Sequence, residues 1–554
     1  MSFKMLRDTA GLHTVFLTVL IALMLCLSLV LNVGYYGMSD LLGPVSRFPG
    51  LFVMLSVAIG LNLFLVWRND KSSKAILWAT VISVVVYMFV LPIAIEPYYI
   101  ADFRDAPLHM SRAIYVAETG RANAYVDPYF DIQPGVFYAT GILILVTQIT
   151  PSSLTKWFPL LIVVTAYLPA FFLFGRNFFK DRMLTLYICM ALLVAWPFRY
   201  HYSAQVYCLP ILITLMALMI RTAYRERLPP KALAIIVTLF FPAIVMTHQL
   251  VSLATLVVLA ATWTWFVLTR RKNQHDLPML TMGLTFVVMW LAYFMWMTVY
   301  TFGDFLATLR EIVSIVASEG VGVLFLQAVA RPSSSYGELI VAKVLFTAIV
   351  YVSGGLTLAI AWLRKDGRPG LVLWCMLAVG GIVAFLGLPL GGRSYVERAV
   401  VLTGFMVAAG LALAISQMPK RRLTSFLTAA FLISLTVTGT TIFNSATNFQ
   451  SVTYSENVSA IFVGRFEYGS VYREALGLKV ADVCPERPID YATLAHGRPS
   501  PYDAVIFETH CFIERAAFLQ ADQLDYPEVG DQNPVLLRVY SNDFAWVYVV
   551  APSS

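Results

Sequence analysis

The chain has 554 residues, of which 59% are hydrophobic and only 13% charged, with a mean hydropathy of +0.74. That balance excludes a soluble domain, and apolar runs of about 20 residues match a bilayer core of roughly 30 Å. The formal net charge of +7 follows from where the basic residues sit, as shown below, and gives no support to nucleic-acid binding.

The first apolar run, from about Thr14 to Val33, has no small-residue cleavage site and is followed closely by another, so it reads as a span and not as a signal peptide. Spans are predicted at about 12–34, 48–67, 75–95, 156–175, 183–198, 205–221, 231–247, 250–269, 279–300, 339–363, 370–388, 397–416 and 423–442, about thirteen in all. Alternate connections carry Lys4/Arg7, Arg68/Lys71/Lys74, Arg176/Lys180/Arg182, Arg221/Arg225/Arg227/Lys231, Arg270/Arg271/Lys272, Arg364/Lys365/Arg368 and Lys420/Arg421/Arg422. These hold 21 of the 39 basic residues against 6 acidic ones, a surplus of +15, whereas the other connections sum to −1 and the segment after the last span to −7. Lys and Arg collect on the cytoplasmic side of a membrane protein. The expected protein is therefore a polytopic α-helical membrane protein with its amino terminus cytoplasmic, a transmembrane domain over 1–442 and an extracytoplasmic domain over 443–554. The short basic inner loops contain nothing like a nucleotide-binding phosphate loop.

The stretch Glu96–Gly135 is the long polar interruption of the first half, and it falls on the outer side. A helix-like run opens at Asp105 and ends at Gly120, which puts Asp105 and His109 one turn apart near the helix start. The apolar run from Gly135 to Thr150 is too short to cross and is closed by Pro151, so a shallow helix on the outer ends of the spans is expected. Within the outer segment 301–338, Phe302, Phe305, Leu306, Leu309, Ile312, Val313 and Val316 recur at helical spacing and predict an interfacial amphipathic helix.

The last 112 residues change character. Runs such as Asp503–Glu508, Val535–Tyr540 and Ala545–Val550 are β-rich and separated by turn residues, predicting a small C-terminal extracytoplasmic α/β domain. Cys484 and Cys511 stand there either as a disulfide or as two buried thiols; Cys26, Cys189, Cys208 and Cys375 lie in apolar runs where packing explains them. Asn457-Val458-Ser459 is a glycosylation sequon.

Several outer-face motifs together carry a resemblance. They are Asp105…His109, Ile114…Gly120, Tyr129-Phe130…Pro134-Gly135-Val136-Phe137, Thr247-His248-Gln249 and Gly392-Arg393-Ser394-Tyr395-Val396-Glu397-Arg398. With the multi-span architecture, over most of residues 75–415, they resemble the GT-C class of integral-membrane glycosyltransferases. The fold is then GT-C-like. The resemblance implies an inverting transfer of a sugar from a polyprenyl-phosphate donor to a lipid, glycan or protein acceptor on the outer face. The chain departs from the familiar arrangement in having two spans before the one leading to the acidic loop, and in lacking the W-W-D signature of oligosaccharyltransferases.

Such a reaction needs a base for the acceptor hydroxyl and cations for the departing phosphate. Asp105 is the first candidate base and Asp102 the second, with capping of the helix as the alternative role of Asp105. His109 is a candidate for orienting the carboxylate or the acceptor, its alternative being a satisfied polar residue of an amphipathic helix. For the phosphate, Arg398 at the start of an apolar span comes first. Arg393 and Lys343 follow, either of which could instead snorkel or pair with Glu397 or Glu338; His248, Arg199 and His201 complete the group. For His248 the alternative is a buried structural hydrogen bond.

Asp127 and Asp131, with Asp102 and Asp105, are candidate ligands of a divalent cation, solvated loop carboxylates being the ordinary alternative. A transporter or flippase of lipid-linked sugars is a second reading, but it calls for internal repeats and mid-membrane charge. The chain shows no repeat, and its charge lies in the loops. A non-enzymatic membrane assembly protein, with the tail as its binding module, is a third.

Overall fold

The computed structural model describes residues 20–22, 49–69, 72–91, 99–101, 105–122, 130, 134–194, 202–224, 230–269, 276–297, 310, 314, 337–364, 366–387, 393–444, 452–453, 471–473, 504–508, 536–541 and 545–550. The helices are α1 (Pro49–Arg68), α2 (Lys74–Val90), α3 (Asp105–Thr119), α4 (Pro134–Thr147), α5 (Pro151–Gly175), α6 (Asp181–Val194) and α7 (Ala204–Tyr224). They continue as α8 (Pro230–Thr247), α9 (Gln249–Leu268), α10 (Asp276–Met297), α11 (Gly337–Leu363), α12 (Gly367–Gly387), α13 (Arg393–Gln417) and α14 (Arg422–Asn444). Among the described residues, seven of these are long and apolar enough to cross a bilayer, and α2, α4, α10 and α12 contain shorter apolar helices. The protein is an integral multi-pass helical membrane protein.

A helix occupies each predicted span from 48–67 onward, while the one predicted at 12–34 lies outside the described residues apart from 20–22, which are helical. One start is corrected: α5 begins at Pro151, five residues before the predicted start, because proline suits a first helical turn that needs no N–H partner. α13 begins at Arg393, and Arg398, in its second turn, heads the apolar stretch of membrane-crossing length, as expected.

Side-chain ties show which connections share an end of the bundle. Lys420 Nζ donates to the Arg68 carbonyl at 3.0 Å, and Arg364 donates to Gln417 Oε1 at 2.7 Å. Arg368 donates to the Asn177 carbonyl at 2.8 Å, the Tyr224 hydroxyl to the Gly367 carbonyl at 2.9 Å, and Trp265 Nε1 to Tyr224 Oη at 2.9 Å. The connections α1–α2, α5–α6, α11–α12 and α13–α14, with the carboxyl ends of α7 and α9, therefore meet at one basic end. The starts of α5, α7, α9, α11 and α13 and the end of α8 lie at the other.

Helix α13 packs against α6, α11 and α12 and is the most buried of the seven spans. Its closest approach is to α11 at Gly354 and Gly410, where a Cβ on Gly410 would overlap the Gly354 carbonyl. Small residues allow such contacts between helices in lipid, where packing replaces the hydrophobic drive of water. A widened turn at Val86–Val90 in α2 carries Tyr87, whose hydroxyl shares a hydrogen bond with Ser56 Oγ of α1 at 2.7 Å. Ser56 also meets Thr440 of α14 at 3.1 Å, so buried hydroxyls satisfy one another.

Helices α3 and α4 run side by side, with Gly141 against the backbone of Ala113 and Ala117. Fourteen residues give α4 a length of about 21 Å, too short to cross. A helix too short to cross was expected at 135–150, and α4 has that length. Gly120, at φ 71°, ends α3 in the left-handed conformation that glycine adopts without steric cost, and its N–H bonds the Val116 carbonyl.

The described strands are β1 (Tyr99–Ala101), β2 (Val452–Thr453), β3 (Val471–Arg473), β4 (Ala504–Glu508), β5 (Leu536–Ser541) and β6 (Ala545–Val550). β1 pairs antiparallel with β2, Tyr99 opposite Thr453, joining the acidic loop to the segment after α14. The other four form one mixed sheet in the order β3-β4-β6-β5, with β3 and β4 parallel and the remaining pairs antiparallel. The three β-rich runs singled out in the tail are thus strands of this sheet. Cys484, Cys511, Asn457 and Cys26 lie outside the described residues, as does the amphipathic helix of 302–320 except for Arg310 and Ser314, which are helical.

Candidate functional site

The end of the bundle opposite the basic connections gathers the residues on which chemistry can be built. Asp105 is the first residue of α3, and one turn on, His109 is half-buried. Three residues further along the same face, Arg112 is 3% exposed and its NH1 donates to His109 Nδ1 at 3.0 Å. A guanidinium only donates, so Nδ1 accepts and the ring carries its proton on Nε2.

Aromatic rings fix that imidazole. The Phe137 ring of α4 stacks on it at 6.0 Å between centroids, and Tyr202 meets it edge-on at 6.5 Å. Tyr202 is fully buried and donates to Thr140 Oγ1 at 2.8 Å, with Phe158 of α5 packed edge-on at 5.0 Å. Burial pushes the Tyr202 hydroxyl to a pKa well above that of an ordinary tyrosine, so it stays a neutral donor. The Arg112 guanidinium also sits 5.9 Å from the centre of the Phe137 ring, a cation over an aromatic face.

A chain of contacts leads from this cluster to the second one. Two residues before Phe137, Gly135 lies so close to Met246 and Thr247 at the end of α8 that a Cβ there would stand 3.1 Å from the Met246 carbonyl oxygen. The next residue, His248, has extended backbone and is 8% exposed. Its Nδ1 accepts from the Val251 N–H at 3.3 Å and caps α9. The buried structural hydrogen bond expected as one role of His248 is therefore present, and it leaves the Nε2 side with the proton. Burial first, and the nearby Arg398 charge second, hold the His248 pKa down to about 3. Arg398 is half-buried in the second turn of α13, near enough to His248 for its charge to bear on the imidazole.

Two amides border the same turn. Gln249 Nε2, next to His248, and Gln205 Nε2, in the first turn of α7, are buried with no hydrogen-bond partner among the described residues. Cys208 Sγ meets the Ile244 carbonyl at 3.9 Å, which sets the first turns of α7 beside the last turn of α8. A buried donor left unmade costs about 1–3 kcal/mol, and an oxygen-rich ligand would remove that cost.

The structure thus brings His109 to Arg112, Phe137 and Tyr202, and His248 to Arg398. Asp105 begins α3, Lys343 lies in α11 and Arg393 begins α13, each described by its backbone alone. Asp102, Asp127, Asp131, Arg199 and His201 lie outside the described residues. Among the described residues no cluster of three His, Cys, Asp or Glu side chains could hold a metal ion. Sequence reasoning missed Arg112 and Gln205 as parts of the site, and placed Tyr202 and Gln249 on the outer face without giving either a role. The signal for Arg112 was available, since it stands three residues after His109 and shares its helix face.

Among solved structures, the chain is similar to ArnT from Cupriavidus metallidurans in the apo state, with a TM-score of 0.48 at 11% identity, over 86% of this chain and 97% of that one. It is also similar to the same protein bound to undecaprenyl phosphate, with a TM-score of 0.37 at the same identity and coverage. No protein-family model matches the chain, and no curated protein does.

Proposed function

We propose that the protein is an inverting GT-C-type glycosyltransferase that moves a sugar from a polyprenyl-phosphate donor to an acceptor hydroxyl at the end of the bundle opposite the basic connections, on the extracytoplasmic side. The observation that carries this reading is the meeting of α3, α4, the His248 turn and the Arg398 turn at one end of the bundle, with an acidic helix start on one side and an imidazole and a guanidinium on the other.

In the proposed reaction Asp105, or else Asp102, takes the proton of the acceptor hydroxyl as its oxygen attacks the anomeric carbon. The bond from that carbon to the lipid phosphate breaks, and the phosphate departs with the electron pair. The extra negative charge is met by the fork of Arg398 and by His248 Nε2–H, with Arg393, Lys343, Arg199 and His201 as further cations or donors of the same face. Gln205 and Gln249 supply amide donors for sugar hydroxyls. His109, held by Arg112 with Nε2–H available, orients the acceptor or the carboxylate.

The deciding experiment incubates the purified protein with synthetic polyprenyl-phosphate sugars and a mixed pool of lipid, glycan and peptide acceptors. Release of polyprenyl phosphate with inversion at the anomeric carbon is expected. Reorientation of the lipid-linked sugar across a vesicle membrane without bond cleavage would replace the transferase reading with the transporter one.

A further inference from the structure

At the basic end, far along the bundle from the site above, a cavity of about 180 Å³ lies between α2, α5 and α6. Lys74, the first residue of α2, and Arg176 and Asp181, which flank the α5–α6 turn, line its polar side. Trp78, Phe172 and Ile188 are among the residues of its apolar wall. Arg176 bonds Asp181 Oδ1 at 3.2 Å and lies 5.3 Å over the Phe172 ring, so these two opposite charges cancel and are held at the rim. Lys74 is then the net charge of the cavity, one positive unit, and it is exposed.

The cavity is flanked by side chains that stay uncovered in the bundle. Trp78 is 50% exposed and Leu173, beside Phe172, is 43% exposed. Large apolar surface of this kind on a multi-pass protein faces lipid, and a tryptophan one turn from a lysine at a helix start marks the membrane–water boundary. The occupant therefore enters from the bilayer, with a head at the charged rim and a tail along the apolar wall. A zwitterionic headgroup brings its own cation and leaves the Lys74 charge uncompensated, whereas an anionic phospholipid neutralises it.

We propose that this groove is a binding site for an anionic phospholipid, its phosphate at Lys74 and one acyl chain beside Trp78. The test uses native mass spectrometry of the full-length protein in detergent, titrated with phosphatidylglycerol, with phosphatidylcholine of the same acyl chains, and with inorganic phosphate. Preferential retention of phosphatidylglycerol is expected, with a loss of roughly fivefold in its affinity in Lys74→Gln and none in Arg422→Gln, which removes the same charge at the same end but outside the cavity. Equal retention of the two lipids, an undiminished affinity in Lys74→Gln, an equal loss in Arg422→Gln, or equal binding of inorganic phosphate would each overturn the proposal.

Discussion

Arg112 holds His109 by its Nδ1 at 3.0 Å, although the arginine is 3% exposed and the histidine half-buried. The more buried partner orients the more accessible one, the order expected when the imidazole faces a ligand. Replacing Arg112 by Met removes a charge-assisted bond worth roughly 1.5–3 kcal/mol. A lower melting temperature is expected, together with a mixed tautomer at His109 in place of one Nε2–H form, read from nitrogen chemical shifts of labelled histidine. A single unchanged tautomer in the variant would detach Arg112 from that role.

His248 gives the fold a pH dependence of known sign. Its pKa falls from 6.5 to about 3 on folding, so below pH 6.5 the unfolded chain binds a proton that the folded one refuses. Its stabilisation is complete above that pH and is lost as pH falls toward 3, with a slope of up to roughly 1.4 kcal/mol per pH unit. Melting temperatures taken from pH 7.5 to 5 should decline in the wild type and decline less in His248→Asn, which still caps the helix. Parallel curves would assign the dependence to other groups.

Asp105 separates catalysis from capping. Asn can still accept the bonds of a helix start, so Asp105→Asn should keep its stability, whereas Ala loses about 0.5–2 kcal/mol if the residue caps. With the base gone, turnover should fall by roughly 10² to 10⁴ while donor binding survives. Full activity in Asp105→Asn would leave only the structural role, and a collapse confined to Asp102→Asn would move the base three residues upstream.

Arg398→Ala should weaken binding of the polyprenyl-phosphate donor, and Arg398→Lys should restore only part of it, because a point charge does not reproduce a planar two-pronged donor. Donor affinity measured on folded variants decides this. An Ala variant that binds as well as wild type removes Arg398 from the phosphate site.

The assignment of sides is checked by single cysteines and a membrane-impermeant thiol reagent. Positions in 100–130 and 450–550 should label from outside the cell, and positions in 222–230 and 364–368 should not. Labelling at 222–230 would turn the molecule over and place the site in the cytoplasm.

What could be read in advance follows from what each feature needs. A span needs a long apolar run and a basic inner end needs Lys and Arg, both local in sequence, and the ties Lys420–Arg68 and Arg368–Asn177 bring together connections first grouped by charge alone. The start of α3 at Asp105 and its stop at Gly120 were equally local. The place of Arg112 beside His109 was legible from their spacing, but its burial was not, because on an amphipathic helix a charged residue reads as solvated until the partner helix is known. The approach of Gly135 to Met246 joins residues 111 positions apart and leaves no periodicity to detect. For Asp102, Asp127, Asp131, Arg199 and His201 the reading stands on residue type and position alone.

The pairing of Tyr99–Ala101 with Val452–Thr453 bears on how the chain can be divided. A boundary at 442 and 443 looks natural, since the last long helix ends close by at Asn444 and β-rich sequence follows. Yet the short strand just beyond it is hydrogen-bonded to the stretch that leads into Asp105. A protein cut after Asn444 would keep its helices and lose the clasp on its acidic loop. The segment after α14 is thus tied by backbone hydrogen bonds to the stretch that leads into α3, and a change at either strand bears directly on the other.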